Sequence, residues 1–284
     1  MLEDVLFGNM PLPGEGVRLV LAFLGMLATT YYDLFNNKNI PNNLLYAFLG
    51  LAIFANIIFF NQSLFLFGIA TAVLIGLIGY ILYKGGQMGA ADIFVLASIS
   101  LLIPIPPAIS KIPFNFPFVA IVFVFASIIF AVYTFYYFLI RVFRNRHMKA
   151  DLKPLILLLP YAIFVYVFFT SPFFSWIYFV IVSLALFSSI FVMVYKEAIN
   201  KHLAEKIPVS KLQEEDVLAV ELMDEKIVKK HNLQKLLTYK EILRLRHLKL
   251  GSVPVYTKFP PFLPFLLVGL IFSILFGGIL FPSF

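Results

Sequence analysis

The chain has 284 residues, of which 61% are hydrophobic and 34 are phenylalanine, with a formal net charge of +7 and a mean hydropathy of +0.94. A water-soluble core of this size needs no such load of apolar surface, so the composition excludes a soluble globular domain and predicts an all-α, polytopic membrane protein. Cysteine is absent, which excludes disulfides, cysteine–zinc sites and thiol nucleophiles.

The first residues, MLEDVLFGNMPLPGEGV, lack the positive start of a secretory signal, so the first span is expected to be retained. Apolar runs near bilayer-crossing length follow in order at Leu19–Phe35, Leu44–Phe60, Leu64–Tyr83, Gly89–Ile105, Phe118–Ile140, Leu155–Thr170, Trp176–Tyr195 and Pro260–Leu280, about eight transmembrane helices in all. The sixth is short and reads as tilted or partial. Between the last two, residues 196–258 turn polar and carry most of the charge, a small cytosolic insertion too short to bury a large core. Within it "TYKE", Thr238 to Glu241, has the form of a helix capping box. The following "ILRLRHLKL" reads either as a basic amphipathic helix lying on the membrane or, by its alternation, as a strand. The expected division is residues 1–140 as a membrane core, 141–195 as additional membrane helices, 196–258 as the insertion and 259–284 as the final helix.

Lysine and arginine mark cytoplasmic loops. With the N-terminus outside, twenty of the 22 fall inside and only Arg18 and Lys111 outside. The charge is thus a topology signal for a multi-pass cell-membrane protein; it predicts contact with anionic lipid and argues against nucleic acid. The four histidines, His147, His202, His231 and His247, lie in the predicted cytosolic segments without metal-site spacing, so no metal or cofactor is expected.

Of the six acids in the first 195 residues, only Asp33 and Asp92 touch apolar spans. The fourteen residues between Arg18 and Asp33 reach about 21 Å, short of a hydrocarbon core of about 30 Å, so the first span runs on through Asp33. By the same reasoning the fourth starts near Gly89, with Asp92 about one turn inside. Both carboxylates then come out level, near the cytoplasmic side. Each alone reads as a helix-end residue; two such residues at one depth point to function. Two close carboxylates share one proton, and such a pair can activate a water and protonate a carbonyl. Helix-dipole direction suggests Asp92 as the starting base and Asp33 as the acid, although a coupled pair titrates as a unit.

These residues resemble the aspartic prepilin and preflagellin peptidases of the GxGD membrane-protease type, the type IV leader peptidases. Asp33 is followed by "NIPN", Asn39 to Asn42; "KGGQMGAAD" is similar to the glycine-rich loop ending in GxGD; "KFPPFLPFLL", from Lys258, is similar to the Pro-Phe-x-Pro-Phe start of a late helix. Ala91 stands where the pattern has glycine, as in archaeal-type members. The resemblance implies an aspartic endopeptidase with Asp33 and Asp92 catalytic, cutting the short basic leader from pilin-like or archaellin-like precursors at the cytoplasmic face, as in type IV pilus or archaellum assembly. The methylation carried by cysteine-tetrad relatives is not expected.

Lys84, Gly85, Gly86, Gly89, Ala90 and Ala91 are the supporting loop: the small residues remove bulk around Asp92, or simply form a flexible turn into a helix. Pro41, Asn42, Pro261, Phe262 and Pro264 are candidates for substrate binding. Pro41 would fix a turn and Asn42 cap the second helix. The late prolines would break or kink the start of the last span and expose backbone to a substrate, or make an ordinary membrane-entry kink. The rival from another class is a proton- or ion-coupled transporter with Asp33 and Asp92 as a relay; mid-membrane acids and an internal repeat, which it favours, are missing. "YYD" and "GAAD" also resemble presenilin-like motifs, but those lie on consecutive helices. A non-catalytic membrane anchor is the remaining alternative.

Overall fold

A computed structural model describes residues 5, 10–36, 39–144, 150–171, 175–231, 233–248, 251–257 and 259–280. Glu3, Asp4, Lys38, Arg146, His147, Lys149, Lys249 and Lys258, used above for charge or motif, lie outside the described residues. The chain is mostly helical. Among the described residues five helices are long and apolar enough to cross a membrane, Glu15–Phe35, Gln62–Lys84, Phe118–Val142, Lys153–Thr170 and Trp176–Val194, and three shorter apolar helices accompany them. Each of the eight expected runs coincides with one of these helices. The three short ones are where length alone does not guarantee a full crossing.

The chain divides into two compact units. The first comprises residues 1–83, 88–130 and 261–284. It contains α1 (Glu15–Phe35), α2 (Asn42–Ile58), α3 (Gln62–Lys84, as far as Tyr83), α4 (Ala90–Leu102), the first part of α5 (Phe118–Arg144) and, from the chain's end, α11 (Leu263–Phe276). α4 packs on α1 and α2, and α1 packs on α11. α4 is the centre of this unit: from Val95 onward nearly every residue is buried. It is only 13 residues long, about 20 Å, and the prolines at 104, 106 and 107 prevent its extension. The chain nevertheless stays buried through Ile105.

A helix that ends inside protein leaves carbonyls without partners. Arg18 supplies them. Its guanidinium, 1% exposed, donates to the carbonyls of Leu101 (3.3 Å) and Leu102 (3.0 Å) at the end of α4, Phe59 (3.2 Å) at the end of α2 and Pro13 (2.8 Å), and to Asn56 Oδ1 (3.0 Å). Asn56 adds a donor to Leu101 at 2.8 Å. This corrects the reading of Arg18 as a surface marker and a boundary of the first span: α1 begins at Glu15, after Gly14 in the left-handed region (φ 69°), and carries the arginine inside. Packing elsewhere in the unit relies on missing side chains. A Cβ at Gly269 of α11 would stand 2.7 Å from the Val122 carbonyl oxygen of α5.

The second unit comprises residues 84–87 and 131–260: the end of α5, a 3-10 turn at Lys153–Leu157 leading into α6 (Leu158–Thr170), α7 (Trp176–Val194), α8 (Lys196–Leu203), β1 (Ala204–Pro208), α9 (Glu225–His231), α10 (Tyr239–His247) and β2 (Ser252–Tyr256). β1 and β2 pair antiparallel, Ala204 opposite Tyr256 and Pro208 opposite Ser252, so the insertion departs from the all-α expectation. It also buries a core of its own, with Leu218, Leu237, Ile242, Leu245, Val253 and Val255 at its centre. The segment left open between helix and strand is the helix α10, and Thr238 caps it by accepting from the Glu241 N–H (3.4 Å). Its apolar face, Ile242 and Leu245, fills this core and is not available to a membrane. Alternation failed here because three apolar residues at helical spacing outweigh a local Leu-Arg repeat once a core exists to receive them.

Candidate functional site

The buried residues of α1 are Arg18, Ala22, Met26, Thr29, Thr30 and Asp33. Their spacing of three and four draws one stripe along the helix, so the packing that buries Arg18 at one end fixes which way Asp33 points at the other. Asp33, 8% exposed, sits in the last turn of α1. Its Oδ2 accepts the backbone N–H of Leu263, the first residue of α11, at 3.2 Å, and the neighbouring Thr30 hydroxyl donates to the Leu263 carbonyl at 3.4 Å.

Asp92 lies in the first turn of α4, half-buried, where its Oδ2 accepts the Gly89 N–H at 3.1 Å. It therefore does cap its own helix, as the simpler reading held. A carboxylate has two oxygens and several lone pairs, so capping leaves room for a second role. α1 packs on α4, and the Asp33 and Asp92 carboxylates interact electrostatically across that contact. Residues 59 apart in sequence with two helices between them are thus brought together at one end of the unit. Each carboxylate accepts a backbone N–H at a helix start, Asp92 from α4 and Asp33 from α11, the second a donor that the dipole argument did not include.

The supporting residues divide. Gly89, Ala90 and Ala91 form the start of α4 beside Asp92, and a Cβ on Gly89 would come within 3.2 Å of Asp92 Oδ2. The Ala91 side chain is accommodated, half-buried, one residue ahead of Asp92. Lys84, Gly85 and Gly86 belong to the second unit; Gly86 takes φ 66°, and a Cβ there would meet Val217 of the insertion at 3.0 Å. Pro41 and Asn42 are exposed at the start of α2. Pro41 occupies the position before the helix, and no side chain caps it, which corrects Asn42 as a cap.

Pro261 and Phe262 precede α11, and the Phe262 ring meets Phe123 and Phe130 edge-on at 6.0 and 5.5 Å. Pro264 lies in the first helical turn, where a missing N–H costs nothing. The late prolines thus lie at the start of the last helix, just before it and in its first turn. The segment instead delivers a backbone N–H to Asp33, a contact the sequence reading did not anticipate. The signal available for it was the polar Thr30–Asp33 pair on the buried stripe of α1. Among the described residues no group of three or more histidine or acidic side chains gathers as a metal site would require.

A bundle of apolar helices, five of those described long enough to cross a bilayer, defines a class, the polytopic helical membrane proteins. Residues 20–135 match the model of the type IV leader peptidase family, and this stretch is similar to that family of peptidases. The match takes in Asp33, "NIPN" and "KGGQMGAAD" and stops before the insertion and the Pro-Phe-x-Pro-Phe stretch. No curated protein and no solved structure matches the chain.

Proposed function

We propose that the protein is an aspartic endopeptidase that removes the short basic leader of pilin-like or archaellin-like precursors, with Asp33 and Asp92 as its catalytic pair. The observation that carries this reading is the approach of the two carboxylates, each oriented by a backbone N–H, across the α1–α4 contact. Two like charges at such range share one proton. The ionised member takes a proton from a water placed between them; that water attacks the scissile carbonyl while the protonated member stabilises the developing oxyanion. Collapse of the tetrahedral intermediate then delivers a proton to the leaving amine. No metal or cofactor enters these steps.

The excess of lysine and arginine on one side of the expected spans supports a pair facing the cytoplasm, where the leader of a precursor resides before secretion. Pro41, Asn42, Pro261, Phe262 and Pro264 are the candidate contacts for the precursor, and Ala91 suits the archaeal-type branch of the family. The test is cleavage of a pilin-like precursor by purified protein in detergent. Asp33→Asn and Asp92→Asn should each abolish product formation while leaving thermal unfolding near wild type. Full activity in either variant removes the mechanism.

A further inference from the structure

At the end of α5, within the second unit, a cavity of about 600 Å³ is lined by Tyr137, Phe138, Ile140, Arg141, Val142, Arg144, Ala198, Ile199 and His202. The volume is in the range of small-ligand sites. Its chemistry is two-sided: arginines at the rim, aliphatic and aromatic carbon beneath, and no carboxylate among the lining residues. Arg141 is held in place. Its guanidinium lies over the Tyr137 ring, 4.7 Å from the centroid, and contacts both ring nitrogens of His202.

The position along α5 matters equally. Arg141 comes 23 residues after the first residue of α5, Phe118, and 23 residues of helix span about 35 Å. Counted from a helix start at one edge of a hydrocarbon core of about 30 Å, that distance ends in the opposite headgroup layer. An arginine pair over an apolar floor at that level matches the two ends of a phospholipid.

We propose that this cavity binds an anionic phospholipid, its phosphate on Arg141 and Arg144 and the first part of its acyl chains along Ile140, Val142 and Ala198. The site lies outside the stretch that matches the peptidase family and does not depend on the catalytic reading. Each arginine near an anionic surface contributes a factor of about five, about thirty-fold for two.

The test uses the full chain in detergent, exchanged separately against phosphatidylglycerol and phosphatidylcholine, with bound lipid read by native mass spectrometry. Wild type should retain phosphatidylglycerol over phosphatidylcholine, R141Q/R144Q should lower that retention about thirty-fold, and A198F should lower it by filling the cavity with the charges intact. Circular dichroism establishes that each variant is folded; should R141Q/R144Q unfold, A198F decides. Glycerol phosphate at millimolar concentration should not displace the lipid. Equal retention of both lipids, undiminished retention in the folded variants, or displacement by glycerol phosphate would overturn the proposal, the last by making a soluble phosphate the ligand.

Discussion

Arg18 offers the sharpest test of how the first unit is held. Its guanidinium reaches five acceptors, three of them backbone carbonyls at the ends of α2 and α4, with the Pro13 carbonyl and Asn56 Oδ1. A hydrogen bond from a charged donor contributes about 1.5–3 kcal/mol net, but burying the ion costs several kcal/mol, so the bonds do not simply add. Arg18→Met removes the charge and every donor together and leaves those carbonyls dry. The expected loss is about 3–5 kcal/mol, the range for breaking a buried charged network. Arg18→Lys keeps the charge but has three N–H groups on one atom in place of a fork; it should recover about half. Equilibrium unfolding in mixed micelles, followed by circular dichroism, measures both. A methionine variant within about 1 kcal/mol of wild type, or lysine and methionine variants of equal stability, would refute the account of Arg18 as the partner of truncated helix ends.

Leu263→Pro deletes the N–H given to Asp33 at a position where proline suits a helix start, while Leu263→Ala keeps the N–H and loses the buried side chain. The proline variant should cut kcat about ten-fold or more beyond the alanine variant, the worth of one charge-assisted hydrogen bond, in the precursor assay. Gly269→Ala should destabilise by about 1–3 kcal/mol, because the new methyl meets α5 backbone that cannot step aside; thermal melts check this. Gly86→Ala, at φ 66°, should cost about 1–2 kcal/mol through left-handed backbone.

In the insertion, burial alone would raise Glu221, but hydrogen bonds and charge from Lys235, with a further bond from Tyr256, hold it below its usual range. Burial and the Glu221 charge push Tyr256 up to about 12. The depressed carboxylate stabilises the fold above its unfolded value and loses that contribution as pH falls through its folded value. The raised phenol contributes below about pH 10 and loses its share as pH climbs towards 12. Glu221→Gln should flatten the acid limb of the pH–stability profile and weaken the alkaline one.

Span positions, the acidic pair and the family motifs were legible in the sequence because each rests on local composition: apolar length, the rarity of charge inside it, and short patterns around Asp33 and Asp92. Tertiary structure decided what local composition cannot encode. Arg18 looked like a surface charge because nothing in its neighbours records that α4 stops short and offers bare carbonyls 83 and 84 residues further along the chain. Asp33 was read from the end of its own helix alone; the start of α11, 230 residues away, supplies an N–H that its neighbours in sequence do not record. The Leu-Arg repeat of α10 became a helix because a core formed from β2, α10 and the loop through Leu218 had room for Ile242 and Leu245. In each case the deciding partner is distant in sequence, and a buried polar or apolar group takes whichever partner the fold brings to it.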